Sequence, residues 1–199
     1  MQTTSSIQMF AKRYLNSVKA SLDDLPLAEV KRTARALYRA YKTGKKVILM
    51  GNGGSGAAAS HFVSDLVKGA AVPGRPRLRA LALCDNIATV TAYSNDCGYE
   101  CIFAEQLKNW VERGDVVIGI SGSGNSKNVL NAITLANKYS AVTIGLMGFK
   151  GGKLKRLVTI PVVVNSNNME RIEDVHLIIL HMLKLYLITL IKKDRKSTR

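Results

Sequence analysis

Aromatic residues make up only 6% of this 199-residue chain, with a single tryptophan. Alanine, valine, isoleucine and leucine supply the apolar share instead, which suits a layered α/β core better than an all-β sandwich. Cysteine is equally scarce. Cys84, Cys97 and Cys101 are an odd count that does not suggest a disulfide framework and fits a reducing, cytoplasmic compartment. The spacing of Cys97 and Cys101 suits a metal pair, but neither a second cysteine pair nor a nearby histidine completes it. Acidic residues are outnumbered, 14 against 29 basic ones, giving a formal charge of +15. The basic residues are scattered, aromatics do not interleave with them, and no nucleic-acid-binding motif accompanies them. The expectation is a solvated basic surface that suits anionic small substrates. The N-terminus lacks the basic start and apolar block of a signal peptide. The most apolar stretch, "VHLIILHMLKLYLITLI", carries two histidines and a lysine and is short for a membrane span, so it reads as a buried or interface helix.

What is present is an alternating rhythm. Residues 4 to 22 and a segment opening at Pro26 carry apolar residues at helical spacing, and Gly44 stops the second. Apolar runs "KVILM", "RALALC", "DVVIGI", "AVTIGLM" and "VTIPVVV" read as strands, with helices over 55–70, 86–93, 99–112 and 126–139 and a short one at "GGKLKRL". A long helix over about 169 to 193 closes the chain. Continuous apolar strands alternating with helices predict a doubly wound parallel sheet covered on both faces. The expectation is one domain: a helical extension over 1–44, an α/β core over 45–168, the closing helix over 169–193 and a basic tail over 194–199. The apolar faces of the terminal helices call for the core or a second subunit.

Two glycine- and serine-rich loops stand at strand-to-helix junctions. "GNGGSGAAASH" (51–61) follows the first strand and "GISGSGNSKNV" (119–129) the third. Neither is a Walker loop or a dinucleotide fingerprint, because the Gly-Lys-Ser/Thr ending and the required glycine spacing are missing. The second loop offers the hydroxyls of Ser121, Ser123 and Ser126, close backbone approach at Gly122 and Gly124, and the N-terminus of a helix. That combination matches a phosphate monoester. In an open parallel sheet both loops lie at the carboxyl edge, where ligands bind.

These loops, with "AYSND" and "ERIEDVHLIILH", resemble the SIS (sugar isomerase) family, whose fold is flavodoxin-like. Within it they are most similar to the phosphoheptose isomerases, and the likeness spans nearly the whole chain. The resemblance implies aldose–ketose isomerisation of sedoheptulose 7-phosphate to D-glycero-D-manno-heptose 7-phosphate through an enediol or enediolate. It makes Ser121, Gly122, Ser123 and Ser126 the phosphate cradle. Asn52, Gly53, Gly54 and Ser55 would line the sugar site, with Asn95, Asp96 and Glu173 near it. It also implies one zinc per subunit among His61, Asp65, Glu173 and His181, and a homotetramer with its sites between subunits.

The middle two metal positions are glutamate and glutamine in the resembled enzymes and aspartate and glutamate here. His61 and Asp65, four apart, share a helix face. Glu173 and His181, eight apart on one helix, stand roughly 12 Å apart along its axis, so one serves only at the edge or comes from a neighbouring subunit. Isomerisation needs an acid and a base; His181 is expected as one and Asp65 or Glu173 as the other. His176 reads as structural. The alternative is a non-catalytic SIS protein that binds a phosphosugar or a protein partner, as the replication-initiator-associated members do; those lose the glutamate matching Asp65, so the carboxylate kept here favours an enzyme.

Overall fold

The five apolar runs form the strands of one parallel sheet in the computed structural model, which describes residues 2–194, with side chains from residue 6. The strands are β1 (Lys46–Gly51), β2 (Arg79–Ala82), β3 (Val116–Ile120), β4 (Val142–Met147) and β5 (Ile160–Val163), in the spatial order β2-β1-β3-β4-β5. This order reverses between β1 and β3, the point at which open α/β sheets bind ligands beyond their carboxyl ends. Gly51 and Ile120 are register partners there, so both glycine-rich loops leave the sheet side by side. Pro161 lies in β5, an edge strand, where its missing N–H costs least.

Alternate strand residues feed two cores. Val47, Leu49, Ile118 and Leu146 pack with helices α1 (Gln2–Asp23), α2 (Leu27–Thr43), α3 (Gly53–Ser64) and α8 (Met169–Lys193). Ile48, Met50 and Val117 pack on the other face with α4 (Ile87–Cys97), α5 (Ile102–Lys108), α6 (Lys127–Lys138) and α7 (Leu154–Leu157). Gly44 ends α2 in the left-handed region, φ +66°, and its N–H returns to the last turn. Asp115, fully buried, takes the Lys46 N–H on one oxygen and the Glu112 N–H on the other, tying the starts of β1 and β3 together.

Helix α8 is apolar on more than one side. Ile172, Val175, Ile179, Leu183 and Leu187 enter the core, while Met182, Leu185 and Tyr186 stay exposed. By length and composition it could cross a bilayer, with a mean hydropathy of 1.7 over its most apolar window. Residues 195–199 of the expected basic tail lie outside the described residues.

Three expectations need correction. The helix expected over 55–70 is α-helical only to Ser64; Asp65–Gly69 is a π turn, closed by Ala70 N–H on the Asp65 carbonyl at 2.7 Å. The helix expected over 99–112 is shorter, Ile102–Lys108, and α4 before it runs on to Cys97. Cys97 and Cys101, read as part of a cysteine set suited to a reducing compartment, are joined by a disulfide across the intervening turn. That link closes too short a loop to act as a framework.

Candidate active site

The carboxyl ends of β1 and β3 set the position of everything that follows. After β1 the chain turns at Asn52 and Gly53 (φ +52°) into α3. Gly54 has no room for a side chain: a Cβ there would lie 2.5 Å from Glu173 Oε2, so the Glu173 carboxylate rests on the glycine backbone. Gly54, Ser55, His61 and Glu173, with the buried His176, line a cleft of ≈ 320 Å³ between α3 and α8. A second cleft, ≈ 280 Å³, opens on the other side of the same loop and includes Asn52, Gly53, Ser60, Cys84 and Tyr99. There the Ser60 hydroxyl donates to Asp85, and burial pushes the Cys84 thiol up.

About two turns of helix past Gly54, three donors begin to converge. The His61 and His181 Nε2 atoms are 3.0 Å apart, and Asp65 Oδ2 lies 3.6 Å from the first and 3.7 Å from the second. His61 and Asp65 come from α3 and the π turn that extends it; His181 comes from the middle of α8. Asp65 Oδ2 is buried without a hydrogen-bond partner. Ligands about 2.05 Å from a tetrahedral zinc stand about 3.3 Å from one another. The three observed separations bracket that value, and two imidazoles with a carboxylate are a donor set that zinc accepts. Among the described residues this is the one such group of donors, and Glu173 stands outside it, on the glycine loop. The distance expected along α8 between Glu173 and His181 is the reason.

The third-strand loop is buried and hydroxyl-rich. Ser121 is 4% exposed, and its Oγ lies 3.0 Å from Ser126 Oγ and accepts the Gly124 N–H. Ser126 is the N-cap of α6, yet its side chain makes no cap bond, having turned toward Ser121. The helix end therefore keeps donors for an anion. A Cβ at Gly122 would meet Met169 Sδ at 2.3 Å, which seats this loop against the start of α8. Ser123 Oγ accepts from the Asn125 N–H.

Asn52 bridges the two loops. It exchanges amide hydrogen bonds with Asn128 at 2.9 Å each way and accepts from the Tyr99 hydroxyl at 2.9 Å. Asn128 and Tyr99 were missed as site residues, although Asn128 lies inside the serine-rich motif and Tyr99 just after "AYSND". Asn95 and Asp96 are exposed on α4 and bonded to each other, and they line neither of the two clefts. A wider basic cleft of ≈ 860 Å³, with Lys150, Lys153, Lys155 and Arg156, shares no residue with either.

Comparison with known proteins places these features in company. A family model described as the SIS domain matches residues 13–148. The phosphoheptose isomerase of Trichlorobacter lovleyi is 41% identical over 158 residues, 79% of each chain. The probable phosphoheptose isomerase of Thermoplasma acidophilum is 37% identical over 175 residues, 88% of this chain and 96% of that one. Among solved structures, a phosphoheptose isomerase from Francisella tularensis superposes with a TM-score of 0.86 at 31% identity, covering 95% of this chain and 100% of that chain. One from Neisseria gonorrhoeae gives 0.84 at 26% identity over the same shares.

Proposed function

The chain belongs to the SIS-domain family, and from that premise we propose that it is a phosphoheptose isomerase, interconverting sedoheptulose 7-phosphate and the aldoheptose 7-phosphate. The observation that carries this is the occurrence, in one chain, of a serine-lined anion cradle at the carboxyl end of β3 and a His/Asp/His donor cluster where the end of α3 meets α8. The cradle suits a phosphate dianion; the cluster and Glu173 suit the sugar end, where the proton moves.

In this reading the phosphate sits on Ser121, Ser123, Ser126 and the first turn of α6. The Asn52–Asn128 pair orients hydroxyls along the chain of the sugar. His61, Asp65 and His181 would hold a zinc ion, supported by their mutual distances and by an Asp65 Oδ2 buried without a hydrogen-bond partner. A bound zinc would polarise the carbonyl and hydroxyl oxygens at C1 and C2. The role of His181 is then ligation through Nε2, and the shortened Asp65 serves as a ligand rather than the base. Glu173 is the proton carrier in this reading, supported by the cleft it shares with His61: a sugar lying in that cleft between the cluster and Gly54 would give up the proton of one carbon to the Glu173 carboxylate and receive it back on the neighbouring carbon. Ser55, buried at the start of α3, closes the cleft beneath it.

A homotetramer belongs to the same proposal, supported by the apolar faces that α1 and α8 leave exposed.

The test is incubation with sedoheptulose 7-phosphate, with and without zinc, with the anomeric protons of the aldose followed by NMR. Wild type converts it when zinc is present. Glu173→Gln lowers kcat by about 10²–10⁴-fold while the zinc content measured by atomic absorption is unchanged. Absence of turnover in both conditions, with phosphosugars still raising the melting temperature, would replace this reading by a binding-only protein.

A further inference from the structure

We propose that Lys184 is a positioning residue that restricts Asp65 to a single metal-ligating oxygen, an inference that rests on the metal reading above. Nothing in the sequence motifs pointed to this lysine. It lies on α8 three residues after His181, hence on the same helix face. Its Nζ reaches Asp65 Oδ1 at 2.9 Å, and the pair is largely shielded, 24% and 13% exposed.

The two carboxylate oxygens of Asp65 are thereby divided. Oδ1 is taken by the ammonium, while Oδ2 has no hydrogen-bond partner and lies 3.6 Å and 3.7 Å from the two histidine nitrogens. A carboxylate with both oxygens free chelates a cation or swings between its oxygens. One oxygen held by a charge-assisted bond leaves the other with a defined aim. The short side chain makes this matter more, since an aspartate has less reach than the glutamate of the resembled enzymes.

The backbone around Asp65 is shaped for the lysine. The π turn over Asp65–Gly69 widens the helix where the stem arrives, and such turns recur at functional sites. Residue 69 is glycine, and a Cβ there would lie 2.8 Å from Lys184 Cε and 3.2 Å from Nζ. The lysine stem fills the space that a side chain at 69 would take. An ordinary surface ion pair needs neither device and contributes little.

The experiment is cobalt(II) substitution in the full chain, read by visible absorption. Four-coordinate cobalt absorbs strongly, and five- or six-coordinate cobalt weakly. Wild type is expected to give intense bands from two imidazoles, one carboxylate oxygen and water. In Lys184→Leu the freed Oδ1 chelates and the bands weaken several-fold, with the helical circular dichroism unchanged. Lys184→Arg, which restores a donor of similar reach, keeps the intense bands. A Lys184→Leu spectrum identical to wild type overturns the proposal while leaving the metal site standing. No cobalt uptake by wild type, or a spectrum that survives His61→Ala, overturns the metal reading and this proposal with it.

Discussion

His176 and His181 lie five residues apart on α8 and have opposite fates. His181 faces the donor cluster, half exposed. His176 is 1% exposed and donates through Nε2 to the Met147 carbonyl at 3.2 Å, which fixes the proton on that nitrogen; Nδ1 has no partner. Burial lowers its pKa from the ordinary 6.5 to about 4. The unfolded chain therefore takes up a proton near pH 6.5 that the folded chain refuses until about pH 4. Its contribution is full above pH 6.5 and is lost as the pH falls toward 4, by about 3 kcal/mol. Urea unfolding at intervals from pH 7 to pH 4 should show that slope in wild type and lose it in His176→Gln. Equal slopes in the two proteins would remove His176 as the cause. Sequence reading separated these histidines only through the family resemblance, because both sit in the same apolar helix.

At the level of elements, the phosphate loop is braced by its neighbour rather than by its own serines alone. Gly124 adopts φ +66°, and a Cβ on it would lie 2.1 Å from the Gly151 carbonyl oxygen. The loop after β4 then returns two bonds, Leu154 N–H to the Gly124 carbonyl and Lys153 N–H to Asn125 Oδ1. Gly124→Ala combines a strained backbone with a backbone clash, which costs on the order of 1–3 kcal/mol locally. The expected result is a KM for the sugar phosphate raised about ten-fold or more, with zinc content unchanged. An unaltered KM would mean that the loop does not hold the phosphate. The strands, the loops and the span of α8 were legible from apolar runs and glycine punctuation. The π turn at Asp65 was not, because the apolar spacing there is compatible with an ordinary helix and the turn forms where the segment packs against both α8 and β2. The Cys97–Cys101 bond escaped for a similar reason, since it depends on how α4 and α5 turn against each other.

For the whole molecule, the outward faces of α1 and α8 remain apolar. Phe10 is 59% exposed, Leu185 61% and Tyr186 54%, and the two helices pack on one another. Tyr14 of α1 also donates to Asp174 of α8. Sedimentation of wild type is expected to give four times the chain mass of 21.7 kDa, and Leu185→Glu a smaller species. A wild-type protein sedimenting as a single chain would end the tetramer proposal.

Patterning along the chain was enough to specify a parallel α/β sheet and to put two ligand loops at its carboxyl edge. Both are local consequences of strand runs, helix starts and backbone freedom at glycine. Which chemical groups meet was decided only by packing. Asp65 faces His181, and Lys184 reaches back to Asp65, because α3 and α8 lie together on the same face of the sheet. Glu173 falls on the glycine loop instead, because the rise of a straight helix carries it away from His181.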